Sequence, residues 1–201
     1  MGLARKYGRG LKMKYKRMYS RQKSLIDRKH QLGFSLMELM VTLVIIAIVA
    51  AISLPNISKW RANYRLNSAA RDVVANLRHA QLEAAKRDKY CTITFNQPVG
   101  NYDYAMYVDA DKDLEYDSEE VLIGVRFSDY KGVELDTGEG GGDGLTFANN
   151  DNSRPSVAFN SRGLPIGNGG GSGAGSIYIK NTVNSKKEIQ VSTAGSIRIL
   201  Q

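Results

Sequence analysis

Between Asp109 and Glu120 the chain reads Asp109-Ala-Asp111-Lys-Asp113-Leu-Glu115-Tyr-Asp117-Ser-Glu-Glu120, a dense run of oxygen donors. Counted from Asp109, acidic side chains fall at positions 1, 3, 5, 9 and 12, and Glu115 at position 7 can offer its backbone carbonyl. Loops with this spacing surround a hard cation such as Ca2+. Leu114 stands where such a loop needs glycine for its sharp turn, and strands rather than helices are expected on either side. The competing reading, which Leu114 favours, is a solvated acidic hairpin turn that requires no cofactor. A further carboxylate is out of place for a different reason. Glu38 is the one charge in the apolar run Phe34–Leu54, and an acid in a bilayer-length stretch costs roughly 2.5–3.5 kcal/mol to insert, so it marks a function. Other reactive side chains are sparse. Cys91 is the single cysteine, so no intramolecular disulfide can form, and its alternating surroundings Tyr90–Phe95 assign it to packing. His30 and His79 are the only histidines, too few for most zinc or triad chemistry. The glycine-rich stretches 138–144 and 167–175 lack the Lys-Ser/Thr of a phosphate loop and read as mobile connections. No catalytic residue is assigned, and the chain is not read as an enzyme.

The elements around Glu38 explain its position. Residues 34–54 are 21 residues long, enough to cross a hydrocarbon core of about 30 Å as a helix. The segment before them is strongly basic. Of the chain's net +8, residues 1–33 contribute +10 and residues 34–201 contribute −2. The positive-inside rule then places the N-terminus in the cytoplasm and the rest across the membrane, as a single-pass protein. The basic isoelectric point belongs to the leader and gives no reason to expect a nucleic-acid partner. A cut after Gly33 would free an amine on Phe34, four residues from Glu38 and on the same helix face, where a carboxylate also complements the helix dipole. Two other readings compete. Signal peptidase acting near Ala51-Ile-Ser53 would release a soluble binding or hydrolytic domain, but that leaves Glu38 unexplained and puts Pro55 close behind the cut. An uncut anchor leaves Glu38 without a partner as well.

Beyond Pro55, Ile57, Trp60, Tyr64, Ala70, Val73, Val74, Leu77, Ala80 and Ala84 recur at helical spacing, with Arg61, Arg65, Arg71 and Arg78 as a solvated face. From Tyr90 the period becomes that of strands: Tyr90–Phe95, Tyr102–Val108, Val121–Phe127, Gly132–Leu135, Leu145–Ala148, Ser156–Phe159, Ile177–Lys180, Glu188–Ser192 and Ser196–Leu200. The expected class is α+β, a long N-terminal helix packed on an antiparallel sheet. The expected organisation is a leader at 1–33, a membrane half-helix at 34–54, an amphipathic half-helix at 55–89 and a β-rich globular domain at 90–201.

Gly33-Phe34-Ser-Leu-Met-Glu38-Leu-Met-Val resembles the prepilin signal of type IV pilins and type II secretion pseudopilins. The resemblance implies that a prepilin peptidase cuts after Gly33 and N-methylates Phe34, and that Glu38 pairs with the Phe34 amine of a neighbouring subunit. Pro55 would be the twenty-second mature residue, where these proteins often carry a helix-kinking proline. The leader is longer than many, and Met13 or Met18 is an alternative start. Leu77–Arg87, Val157-Ala-Phe-Asn-Ser-Arg-Gly163 and Glu188–Ile199 resemble the minor pseudopilins of the GspH/FimT branch more loosely. The implied partners are other pilins, the peptidase and an inner-membrane assembly platform. The implied location is the inner membrane, with the C-terminal domain in the periplasm or outside and later in a filament. Some FimT-branch proteins take part in DNA uptake through a Gly-Arg-x-Arg tail. Here Gly195-Ser-Ile-Arg198 keeps only Arg198, so DNA binding is the alternative and not the expectation.

Overall fold

A computed structural model describes residues 33–97, 99–116 and 121–200; the basic leader before Gly33 lies outside them. The chain divides into two compact units, one ending at Ala51 and the other beginning at Ile52. In the first unit, helix α1 (Leu36–Arg87) starts and is exposed along its apolar length, from Leu36 at 78% to Ile46 at 63%. Its most apolar 18-residue window has a mean hydropathy of 2.6 with none of it buried.

In the second unit the same helix lies against a β-rich layer. The face it buries is Ala62, Leu66, Ala69, Ala70, Val73, Val74, Leu77, Ala80 and Ala84. From Ala70 onward this is the expected stripe. Before it the expectation fails: Ile57, Trp60 and Tyr64 are exposed, and Ala62, Leu66 and Ala69 take their place. The reason is angular. At about 100° per residue, Tyr64 lies some 200° from Leu66, so the bulky residues fall on the face turned away from the strands. α1 continues through Pro55. It ends at Asp88, whose φ of 52° is left-handed, while Lys89 N–H reaches back to Ala84 O at 3.3 Å. This is a Schellman-type stop, with an aspartate in place of the usual glycine.

Among the described residues nine strands follow: β1 (Tyr90–Gln97), β2 (Tyr102–Asp109), β3 (Val121–Val125), β4 (Val133–Leu135), β5 (Ser156–Phe159), β6 (Pro165–Ile166), β7 (Gly175–Asn181), β8 (Lys186–Val191) and β9 (Ile197–Leu200). They form two antiparallel sheets rather than one, in the orders β3-β2-β1-β5-β6 and β4-β7-β8-β9. The expected strand Leu145–Ala148 is not one: only Leu145 bridges to Ile177. Ser176 N–H donates to the Thr146 hydroxyl at 2.7 Å, so a side chain takes a place that a regular ladder gives to a carbonyl. Strand β6 was not anticipated, because two residues carry no period. The glycine-rich stretches, expected to be loose, are hydrogen-bonded turns: Gly144 N–H donates to Glu139 O at 3.1 Å and Gly167 N–H to Gly171 O at 2.9 Å.

One core joins helix and strands. Cys91, Ile93 and Phe95 of β1 point into it, where Phe95 stacks on Phe147 with ring centroids 5.5 Å apart. Asn76 donates to the buried Tyr104 hydroxyl at 2.8 Å, which keeps this phenol satisfied beneath the helix.

Candidate functional site

The first candidate is the amino-terminal segment. Gly33, Phe34 and Ser35 precede the helix in non-helical conformation, and Phe34 is 80% exposed. The Ser35 hydroxyl accepts the Glu38 N–H at 3.1 Å, and the Ser35 carbonyl accepts Leu39 N–H at 3.1 Å. Ser35 is therefore the N-cap and Glu38 the third helical residue, the Ser-x-x-Glu spacing of a capping box. That signal was present in the sequence, and it adds a local reason for Glu38 to the one drawn from pairing.

The acidic turn is the second candidate. Asp109, Asp111 and Asp113 bring carboxylate oxygens within 4.8 Å of one another. Glu115 is not part of this group, and Asp117 and Glu120 lie outside the described residues. Asp109 is 3% exposed, and its carboxylate is already occupied. It accepts Thr92 Oγ1 at 2.9 Å, Lys112 N–H at 2.6 Å and Leu114 N–H at 3.1 Å. Burial pushes the Asp109 carboxyl above its ordinary range and Asp111 adds to the rise, against the pull of those donors. Folding thus favours its protonated form more than the unfolded chain does. This contribution to stability is full below the unfolded value of 3.8 and is lost as pH rises through the folded one.

Leu114, the apparent mismatch, adopts the glycine conformation with φ 63°. Its side chain is 2% exposed, and its carbonyl accepts Asn150 Nδ2 at 2.8 Å and Thr94 Oγ1 at 3.3 Å. The left-handed backbone costs about 1–2 kcal/mol in a non-glycine residue, and burying leucine offsets it with about 1.5–3 kcal/mol. Leucine is there because the turn folds over the outer face of β1, where Thr94 also meets Tyr107 Oη at 2.8 Å and Ser156 Oγ at 3.0 Å. This turn closes with protein donors. Millimolar calcium added to the purified protein is accordingly expected to leave its thermal midpoint unchanged; a rise of several degrees would show a cation site.

A third cluster was missed as a unit. Gln81 Nε2 donates to Gly163 O at 3.0 Å and to Gly195 O at 2.8 Å. Three segments singled out separately in the sequence thus meet at one amide. The two glycines sit in left-handed turns, φ 74° and 79°, closed by Gly163 N–H to Asn160 O and Gly195 N–H to Ser192 O. A glutamine inside the helix stretch Leu77–Arg87 was the available signal.

Several other described titratable groups are tied into the fold. Glu83 accepts Arg87 Nε at 2.8 Å and Lys86 Nζ at 3.2 Å, and these bonds hold its carboxyl below the usual range. Lys186 does the same for Asp136 from 2.6 Å. His79 lies 3.8 Å from Glu83, an i,i+4 contact. Cys91 is buried and its thiol is pushed up to about 12, chiefly by burial, which leaves it inert at neutral pH. Arg198 is exposed on β9, opposite Gln190, with Nε 3.4 Å from Ser196 Oγ. It stands on an outermost strand of its sheet rather than in a free basic tail.

A single apolar helix that opens on a capped Glu38 and continues into a helix-on-sheet domain defines a pilin-like subunit. Residues 69–195 match the family described as type II transport protein GspH, and residues 28–54 match the prokaryotic N-terminal methylation motif. The chain belongs to the GspH family and is a minor pseudopilin of the type II secretion and type IV pilus class. No curated protein and no solved structure matches it. The family is structural rather than enzymatic. The matched motif together with the apolar helix makes this a membrane-anchored chain.

Proposed function

We propose that the chain is cut between Gly33 and Phe34 by a prepilin peptidase, methylated on the new Phe34 amine and held in the inner membrane by residues 34–54. Its globular domain then lies on the periplasmic or outer side. With other pseudopilins, and through the inner-membrane assembly platform, it joins a filament that serves protein secretion. Glu38 of one subunit pairs with the Phe34 amine of another; methylation keeps that amine cationic, so the pair survives processing. A buried charge that only a neighbour satisfies makes assembly register-specific.

One observation carries this reading. The methylation motif matched at 28–54 coincides with an exposed apolar helical segment whose lone charge is Glu38, four residues from Phe34. Mass spectrometry of the mature protein tests it. The expected first residue is Phe34 with one added methyl group. A mature chain beginning at Leu54 would instead establish release by signal peptidase, and an intact leader would establish a plain anchor.

A further inference from the structure

At the end of the globular unit where the chain enters it, the helix face turned away from the sheets is apolar, aromatic and basic. Trp60 and Tyr64 are 66% and 58% exposed and stack on each other with centroids 5.9 Å apart, beside the exposed Ile57. From Leu54 to Arg71 the basic residues are Lys59, Arg61, Arg65 and Arg71, and no acid intervenes. Lys59 and Arg61 are exposed. Arg65 Nη1 donates to Lys131 O at 3.3 Å, and Asn63 Oδ1 accepts Asn181 Nδ2 at 2.9 Å. These bonds fasten two turns at the same end, which present Lys131 and the 40%-exposed Val183 beside Asp129, while Tyr130 Oη of the first turn donates to Asp72 at 2.7 Å.

We infer that this end of the domain rests on the headgroup layer of an anionic bilayer, with Trp60 as the interfacial anchor and Lys59 and Arg61 on lipid phosphates. The inference relies on residues 34–54 spanning the membrane, as proposed above. Trp60 lies six residues beyond Leu54, about 9 Å along a helix, and the headgroup layer is roughly 5–7 Å deep on each side. Helical side chains lean toward the N-terminus, which here is the membrane side, so the Trp60 ring reaches back into that layer. Tryptophan favours this depth because its ring is apolar with a polar edge. Juxtamembrane Lys and Arg add attraction to anionic lipid that falls off within a Debye length. The patch follows the span by only a few residues of chain, so binding there brings no second body to the membrane.

Trp60 is the only tryptophan in the chain, so its fluorescence reports on this site alone. The full chain would be reconstituted in phosphatidylcholine vesicles, with or without phosphatidylglycerol, at several protein-to-lipid ratios. Alkaline carbonate extraction would check the span. Quenching by neutral acrylamide is expected to be about threefold weaker in the anionic vesicles, with the difference fading in high salt. The double substitution K59Q/R61Q is expected to abolish the difference. Equal quenching in both lipids would overturn the inference, as would protection that follows the protein-to-lipid ratio, since the cover would then be another protein copy. If carbonate extracts the chain, the spanning reading itself fails and takes this one with it; a retained chain with an exposed Trp60 overturns the headgroup contact alone.

Discussion

Replacing Glu38 with valine is expected to leave the chain processed and inserted, yet all but absent from filaments. The two effects have opposite signs. Insertion becomes easier, because a charge that costs roughly 2.5–3.5 kcal/mol in the bilayer is gone. On the pairing proposed above, assembly becomes harder, because the Phe34 amine of a neighbour is left buried without its counter-charge. Removing one partner of a buried pair costs about 3–5 kcal/mol, which at 1.4 kcal/mol per factor of ten is a loss of about a hundredfold or more. The capping role of the segment does not confuse the result, since the Ser35 hydroxyl accepts the backbone N–H of residue 38, which valine retains. The measurement is the ratio of the subunit in sheared filaments to that in membranes, alongside the mass of the mature chain. Incorporation at the wild-type level would remove the pairing from the mechanism.

Gly195→Ala is expected to be strongly damaging to the globular unit. Its φ of 79° puts an alanine in the left-handed region, and the added Cβ would lie 2.6 Å from Gly163 O and 3.2 Å from Gln81 Nε2. The conformational part costs about 1–2 kcal/mol. The contact adds to it, because relieving the clash moves the carbonyl that Gln81 holds. A total of roughly 2–4 kcal/mol lowers the melting temperature by roughly 5–15 °C for a domain of this size. Gly163→Ala is the control: φ is 74°, but no atom lies within 4 Å of the place its new methyl group would take. It should lose only the conformational part, and thermal melts of the two variants separate strain from contact. Equal losses would mean that the three-way junction at Gln81 adds nothing. Processing at Gly33 should be unaffected in both.

Much of this molecule could be read from its residues, and the exceptions share a physical cause. The membrane segment declares itself through length and composition, and the rest of the long helix and most strands through period, because each of these buries one face. Failures came where a residue's surroundings are made by parts distant in the chain. Trp60 and Tyr64 have helical spacing, but only the positions of the sheets show that the small Ala62 and Ala69 mark the packed side. Leu114 argued against a sharp turn by its type; burial over β1, invisible locally, is what makes leucine tolerable at a left-handed position. Gln81 looked like any solvated helix residue until two glycine turns, more than 80 and 110 positions away, presented carbonyls to it. The Ser35–Glu38 spacing was legible and went unused, because the pairing role of Glu38 accounted for the same residue.

Only Asp88 and Lys89 separate the last turn of α1 from β1, and β1 is the central strand of its sheet, held by β2 on one side and β5 on the other. Tension along the helix reaches the domain through the packed face from Ala62 to Ala84 and, past Arg87, through Tyr90 along β1. It loads the ladders from Tyr90 to Gln97 and from Cys91 to Thr94 together, in shear. An edge strand pulled from its end would unzip one bond at a time, whereas this arrangement makes many bonds give way at once. The domain is thus joined to its helix at a place suited to bearing load.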